Sequence, residues 1–191
     1  MFVLRLAFAP LVFIVLFVWR TWQDESIIDF VCEWSGYALI LVGVGIRLWA
    51  TLYIGQRKSK ELITYGPFSV CRNPLYVGSV IITIGISLCF ENLILLGAAL
   101  LITMPIHVLV AVAEEKHLER RFGQAYEQYK QNVPRFWFRF SQFKTPEFIQ
   151  VSPKAIYRVL TESILILLVP AAGDLIEILH ANGILPVLWY Y

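Results

Sequence analysis

The chain has 191 residues, 58% of them hydrophobic and 16% charged, and its mean hydropathy is +0.66. This composition is too apolar for an ordinary soluble domain, so it predicts an all-helical integral membrane protein. The formal net charge of +2 is too small to indicate a nucleic-acid partner.

Four apolar runs are long enough to cross a hydrocarbon core of about 30 Å, which requires about 17 to 25 helical residues. They predict transmembrane helices at residues 2–19, 34–54, 75–90 with its flanks, and 93–113. The first run lacks a small-residue cleavage site, so we expect it to be a retained span and not a signal peptide. Strands are not expected, because the sequence lacks the alternating pattern of a membrane barrel.

The charges between these runs predict the orientation of the chain in the membrane. The connection between the first two runs is acidic, whereas residues 55–72 and the segment after residue 113 are rich in Lys and Arg. By the positive-inside rule, the two basic segments and the N-terminus are expected to be cytoplasmic. The sequence thus predicts a multi-pass protein with its polar motifs on the cytoplasmic side.

Only Glu91 and Asn92 separate the third and fourth runs, so these runs are predicted to form a tight antiparallel hairpin. The hairpin would bring the start of one helix and the end of the other to the same face of the membrane. Residues 72–76 are therefore expected to lie beside Glu114 and Glu115, although the two segments are far apart in the sequence.

After the fourth run, apolar and aromatic residues recur at helical spacing from Leu118 to Tyr129. This spacing predicts an amphipathic helix that continues the fourth span, with Gly123 as a weak point inside it. Further on, residues 163–173 are apolar but contain Pro170, and they fit either a kinked fifth span or a re-entrant helix.

The cysteines and histidines do not indicate a disulfide framework or a metal site. Cys32, Cys71 and Cys89 show no C-x-x-C spacing and are odd in number, so we expect free thiols. The three histidines are scattered, without the paired spacing of metal ligands, so no metal is expected.

The third run opens with a motif at residues 66–78 that reads Gly-Pro-Phe-Ser-Val-Cys-Arg-Asn-Pro-Leu-Tyr-Val-Gly. Pro74 suits the first position of a helix and disfavours a helical backbone at Asn73, so a helix is predicted to begin there with N–H groups free to attract an anion. Asn73 either caps this helix or binds a ligand through its amide. Arg72 and Tyr76 are either interfacial anchors or site residues.

Glu114 and Glu115 are adjacent carboxylates at the end of the fourth run, where they repel each other. A cationic ligand or Arg72 would relieve this repulsion, and the alternative is a pair of solvated charges on a helix face. Arg47 lies about 10 Å inside the second span, and it either snorkels to the surface or faces the same cavity.

These residues resemble a known family. The motif at residues 66–78 is similar to the G-x-Y-x-x-x-R-H-P-x-Y-x-G signature of integral membrane methyltransferases related to isoprenylcysteine carboxyl methyltransferase and the phospholipid N-methyltransferases. Residues 114–136 resemble the second block of that family, E-E-x-x-L followed by F-G-x-x-Y-x-x-Y and a final V-P. The resemblance covers about residues 47–136, so we expect one domain over residues 1–191, with a methyltransferase core at about residues 34–137 and a C-terminal extension at residues 138–191.

The resemblance implies an S-adenosyl-L-methionine pocket at the cytoplasmic ends of the core spans. It also implies methyl transfer to a carboxylate, amine or thiol of a lipid-soluble or lipidated acceptor that enters from the membrane lipids. The resemblance implies that four residues act in catalysis or in orienting the acceptor, namely Arg72, Tyr76, Glu115 and Arg135. Residues carried over to cofactor binding are Lys60, Glu61, Leu62, Ile63, Phe68, Asn73, Pro74, Leu75, Tyr76 and Glu114.

Three positions depart from the family pattern. Asn73 stands where the family has His, and Phe68 where it has Tyr. The prenylcysteine branch places an Arg about one turn before the glutamates, where this chain has Val110. The resemblance therefore does not extend to a prenylcysteine acceptor or to proton transfer at position 73.

Two other functions remain open on the sequence alone. Membrane reductases of the sterol-reductase type share the R-H-P-x-Y-x-G turn but use a nicotinamide cofactor, although the paired glutamates and the block after them favour the methyltransferases. A non-catalytic membrane scaffold that kept the fold and lost the reaction is the other alternative, and the three departures favour it.

Overall fold

The computed structural model describes residues 15, 27–55 and 61–184, apart from the side chains of residues 177, 180 and 181. The predicted first span at residues 2–19 lies almost wholly outside this part of the chain. The described elements are six α-helices and one short 3₁₀ helix, and no strand occurs among them. They are α1 (Ile27–Ile54), α2 (Pro67–Val70), α3 (Pro74–Cys89), α4 (Leu93–Phe122), α5 (Gln124–Asn132), the 3₁₀ helix (Phe140–Gln142) and α6 (Pro153–Ala181). The predicted all-helical class is confirmed.

Three of these helices are long and apolar enough to cross a membrane, namely α1, α4 and residues Pro153–Ile176 of α6, whereas α3 is a shorter apolar helix. Helix α1 is already helical at Ile27, before the predicted span at residues 34–54. Helix α4 continues to Phe122 and ends at Gly123, which has a φ of +51°, before α5 begins. The predicted weak point is therefore a break between two helices.

Helix α6 is one continuous helix of 29 residues that includes Pro170, which favours a span over a re-entrant turn. The start of α6 has a capping residue and a proline that the sequence analysis did not use. Ser152 accepts the Ala155 N–H through both its backbone carbonyl and its hydroxyl, at 3.0 and 3.4 Å. Pro153 then occupies the first helical position, so Ser152 and Pro153 together form an ordinary helix start.

The chain divides into two compact units. The described part of the first unit comprises residues 27–42, 80–105 and 164–184, and α1 and α3 lie very close within it. A Cβ atom added at Gly85 would lie 2.7 Å from the carbonyl oxygen of Gly36. The connection from α3 to α4 is the predicted tight turn, in which Asn92 Oδ1 accepts the Leu95 N–H at 2.8 Å and caps α4.

The described part of the second unit comprises residues 43–55, 61–79 and 106–163. A buried apolar cluster of Ala50, Ile63 and Phe68 lies inside it. A segment without regular helix except for one 3₁₀ turn, residues 133–145, crosses this unit and is called the strap below. Backbone bonds to α2 and its flanks hold the strap in place: Gly66 donates to Lys144 O at 2.7 Å, and Arg139 donates to Val70 O at 3.0 Å.

The close approach of α1 and α3 predicts that Gly85→Ala lowers the thermal unfolding temperature of the detergent-purified protein. The added methyl group has no room beside Gly36, and overpacking of this kind costs about 1–3 kcal/mol. Gly97→Ala is the matched control, because Gly97 also lies within a helix of the first unit but has nothing within 4 Å of its Cβ position. Equal unfolding temperatures for the two variants would show that the helices are not in contact at Gly85.

Candidate functional site

The start of α3 and the end of α4 meet in the second unit, as the predicted hairpin requires. The Tyr76 hydroxyl donates to Glu114 Oε2 at 2.8 Å, and Asn73 Nδ2 donates to Glu115 Oε1 at 2.8 Å. Consecutive helical residues point about 100° apart, so the two glutamates contact different parts of the α3 start. Glu114 and Glu115 therefore have different surroundings despite being neighbours.

Glu115 is the buried member of the pair, with its side chain 7% exposed. It accepts hydrogen bonds from Arg135 Nη2 at 2.9 Å and from Arg72 Nη1 at 3.3 Å, in addition to the bond from Asn73. A buried carboxylate is tolerated only when it is paired and hydrogen-bonded, and two guanidinium groups meet that condition here. The expected role of Arg72 in offsetting the paired carboxylates is realised at Glu115.

The strap closes over the beginning of α3. The N–H groups of Arg72 and Asn73 donate to Pro134 O and Arg135 O at 2.9 and 3.2 Å. The Tyr76 N–H bonds back to Asn73 O at 3.2 Å. The N–H groups of Asn73 and Tyr76, two of those expected to attract an anion, are therefore engaged within the protein.

The Asn73 side chain lines the cavity and also links separate segments of the chain. Its amide nitrogen donates to Glu115 and, at 3.3 Å, to Arg135 O, so the side chain joins α3 to α4 and to the strap. The residue is 7% exposed. An amide supplies two N–H donors without any charge, which suits a position that must serve a carboxylate and a carbonyl together.

An open cavity lies beside the contact between Tyr76 and Glu114. Its lining includes every residue predicted to bind a cofactor, except Lys60, which lies outside the described residues. Arg135 is absent from the lining but bonds to two residues that line it, Glu115 and Asn73. The lining consists of Ile54, Glu61, Leu62, Ile63, Phe68, Arg72, Asn73, Pro74, Leu75, Tyr76, Glu114, Glu115, Leu118, Tyr126 and Tyr129.

Four of these lining residues were missed in the sequence reading: Ile54, Leu118, Tyr126 and Tyr129. The spacing of the last three had been interpreted only as the apolar face of an amphipathic helix. Their helical register was a usable signal, because the face that a helix buries is also the face that can line a pocket. Arg47, in contrast, is absent from the lining and pairs with Glu162 at 2.8 Å.

The cavity contains one buried polar atom whose bonding is incomplete. The Arg72 side chain is 9% exposed, and its Nε has no hydrogen-bond partner in the described part of the chain. Burying a donor without an acceptor costs about 1–3 kcal/mol.

Two tyrosines form a wall of the cavity and stay protonated. The Tyr129 hydroxyl donates to Phe68 O at 2.8 Å, and burial raises the pKa of Tyr129 far above its usual range. Burial also raises the pKa of Tyr126 to about 12. Both phenols are therefore neutral at physiological pH, so they can donate hydrogen bonds and exclude water but do not act as bases.

The arrangement can thus hold a cationic or polyhydroxyl group at Glu114, an anionic group near Arg72, and a flat apolar ring against the aromatic and aliphatic walls. Among the described residues, no group of three or more His, Cys, Asp or Glu side chains could hold a metal ion. The three cysteines are free thiols, as the sequence predicts.

Comparison with known proteins places this site within a matched region. A family model described as phospholipid methyltransferase matches residues 31–125, which include both glutamates and the start of α3. No solved structure matches the chain significantly.

Two curated relatives are similar over most of the chain. The nickel-cobalt-cadmium resistance protein NccN of Alcaligenes xylosoxydans xylosoxydans is 34% identical over 138 residues, which is 69% of this chain and 64% of the relative. The cobalt-zinc-cadmium resistance protein CzcN of Cupriavidus metallidurans is 29% identical over 150 residues, which is 78% of this chain and 68% of the relative. The chain thus spans less than two thirds of the length of NccN.

The burial of Cys71 next to Arg135 predicts how fast its thiol is alkylated. Cys71 is completely buried, its thiol lies 3.5 Å from Arg135 O, and burial raises its pKa from 9.0 to about 11. With Cys32 and Cys89 replaced by Ala, we expect very slow alkylation by N-ethylmaleimide at pH 8, because the thiolate fraction is about a hundredfold lower than for an exposed thiol.

Glu115→Gln in the same background should raise the alkylation rate at least about tenfold. Breaking a buried ion pair costs about 3–5 kcal/mol, and tenfold more opening of the strap needs only about 1.4 kcal/mol. The control is Glu119→Gln, which breaks a partly exposed pair with Lys130 elsewhere on α4. An unchanged rate in Glu115→Gln would mean that Glu115 does not hold the strap.

Proposed function

Since residues 31–125 belong to the phospholipid methyltransferase family, we propose that the protein transfers a methyl group from S-adenosyl-L-methionine to a lipophilic acceptor at the cytoplasmic face of a membrane. The observation that carries the proposal is the contact of Tyr76 with Glu114 at the edge of a cavity. The described residues that the resemblance assigns to the cofactor all line that cavity.

The donors and acceptors around the cavity fit this cofactor. Glu114 suits its cationic part, because a carboxylate attracts an ammonium or sulfonium group. The positive charge of Arg72 suits its carboxylate, and the walls formed by Ile63, Phe68 and Leu118 suit an apolar ring system. When bound, the cofactor supplies an electrophilic methyl group on a positively charged sulfur.

The residues of the chain contribute position and exclusion of water. Methyl transfer requires the acceptor to be held close to the methyl group and in line with it, and it gains from a dry site. Tyr76 fixes the orientation of Glu114 through a 2.8 Å bond. Tyr126 and Tyr129 of α5 form part of the wall that excludes water.

Glu115 and Arg135 have a positioning role in this proposal. Glu115 is committed to Arg72, Asn73 and Arg135, and Arg135 does not line the cavity. The acceptor-steering role carried over to Arg135 is therefore replaced by a role in holding the strap against α3. Arg72 keeps a direct role, because it reaches both Glu115 and the cavity.

Calorimetric binding of S-adenosylhomocysteine to the detergent-purified protein tests the cofactor proposal. We expect Glu114→Gln to weaken binding by about 10-fold or more, since a hydrogen bond to a charged group contributes about 1.5–3 kcal/mol. Tyr76→Phe should weaken it less, because the variant loses the bond that orients Glu114 but keeps its negative charge. Glu119→Gln is the control and should bind like the wild type.

Absence of binding heat for the wild type at saturating ligand would reject the proposal. Tight NADPH binding in its place would favour a reductase. If the cofactor product binds but no labelled methyl groups enter the extracted lipids of an expressing cell, the scaffold alternative is favoured.

A second proposal rests on the printed names of the relatives, which describe resistance to nickel, cobalt, cadmium or zinc. We infer that this chain also contributes to tolerance of divalent metal cations, through methylation of a membrane component. Growth of a metal-sensitive host on cobalt or cadmium should improve with the wild type and not with Glu114→Gln. Equal protection by both would separate metal tolerance from methyl transfer.

A further inference from the structure

Arg47, Ser79 and Glu162 form a polar cluster within the second unit. None of the three lines the cavity. Arg47 Nη1 donates to Ser79 Oγ at 2.6 Å, and Arg47 Nη2 donates to Glu162 Oε2 at 2.8 Å. The three side chains come from α1, α3 and α6, so the cluster is where these three helices meet. Glu162 belongs to α6, beyond the residues that match the family model.

All three residues of the cluster lie well inside their helices, measured from the nearer end of each. At a rise of 1.5 Å per residue, Arg47 lies about 10 Å from the end of α1, Ser79 about 8 Å from the start of α3, and Glu162 about 14 Å from the start of α6. The residues at the first two of these helix ends, Ile54 and Pro74, line the cavity. The cluster thus lies farther along the apolar helices than the cavity does.

The cluster is also close to the cavity. The Ser79 hydroxyl donates to Leu75 O at 3.0 Å, and Ser79 follows Tyr76 by less than one helical turn. Both Leu75 and Tyr76 line the cavity. The Arg47 side chain packs against α3 beside Gly78, the residue before Ser79. A Cβ atom at Gly78 would lie 2.9 Å from Arg47 Cγ. A molecule bound at the cluster would therefore be about one turn of α3 from the cavity.

The ion pair is accessible from outside the protein. The side chains of Arg47 and Glu162 are 24% and 45% exposed, although both lie in helices long and apolar enough to cross a membrane. Charged groups at such positions are expensive and commonly mark a pathway for a polar group. A pair that only joined helices could be replaced by apolar side chains at little cost or with a gain in stability.

We propose that Arg47, Ser79 and Glu162 form a lateral site for the polar head group of a membrane lipid that serves as the methyl acceptor. Glu162 receives the hydrogen-bond donors of the head group, and Arg47, which has five N–H donors, receives its acceptors. The apolar tail remains in the membrane while the head group approaches the cavity along α3. The role as acceptor rests on the proposed methyl transfer, whereas binding of a lipid at this site does not.

Native mass spectrometry of the delipidated, detergent-purified protein tests the site. The probes are phosphatidylethanolamine and phosphatidylglycerol, added separately from detergent solution. We expect Arg47→Met and Glu162→Gln each to weaken the binding of at least one of them by about fivefold or more. Glu119→Gln removes a carboxylate from another partly exposed pair and should leave the binding unchanged.

Binding of S-adenosylhomocysteine, measured on the same preparations, separates the two proposals and also reports correct folding. If the wild type binds the lipid through Glu162 but does not bind S-adenosylhomocysteine, the lipid site stands and the methyl transfer falls. Equal lipid binding by the wild type and by Glu162→Gln would overturn the site. Should Arg47→Met fail to fold, Ser79→Ala replaces it, because it removes only one hydroxyl from the cluster.

Discussion

The neutralisation of one buried carboxylate, Glu115, joins the elements of the second unit. A charge at this depth must be compensated, and here the compensation comes from Arg72 and Asn73 before α3 and from Arg135 on the strap. Three segments that are distant in the sequence are thereby brought together around a single carboxylate. The backbone bonds between the strap and residues 72–73 add to this connection without any further charge.

Because Glu115 is fully engaged, its neighbour Glu114 can serve the cavity. The α-helix separates the two side chains by about 100°, so one residue step divides a carboxylate paired with two arginines from one that accepts a hydrogen bond from Tyr76. This division explains how two adjacent acidic residues coexist at the end of an apolar helix. It also explains why Tyr76, which follows Asn73 by less than one turn, contacts Glu114 and not Glu115.

The sequence predicted the parts of this arrangement that follow from local rules. A two-residue connection between apolar runs dictates a hairpin, and the hairpin dictates that Arg72 and Glu115 meet. The positions that escaped prediction depend on segments with no regular pattern. The strap carbonyls at Pro134 and Arg135 could not be foreseen as acceptors for the α3 start, because an irregular segment gives no periodicity from which to place it.

The C-terminal helix α6 shows a second reason why a feature could not be predicted from the sequence. Its start was signalled by Ser152 and Pro153, but the apolar run was read only from residue 163 onward, because the charged residues before it lowered the local hydropathy. One of those charges is Glu162, whose partner Arg47 is 115 positions earlier. The pairing of two isolated charges over such a distance depends on helix packing that neither segment encodes by itself.

Asn73 has a consequence for the conditions under which the protein works. A histidine at that position would change its charge between about pH 5 and 8, and the balance of charge around Glu115 would change with it. The amide of Asn73 donates the same kind of hydrogen bond but never titrates. At the junction between α3, α4 and the strap, position 73 therefore contributes no charge that changes near neutral pH.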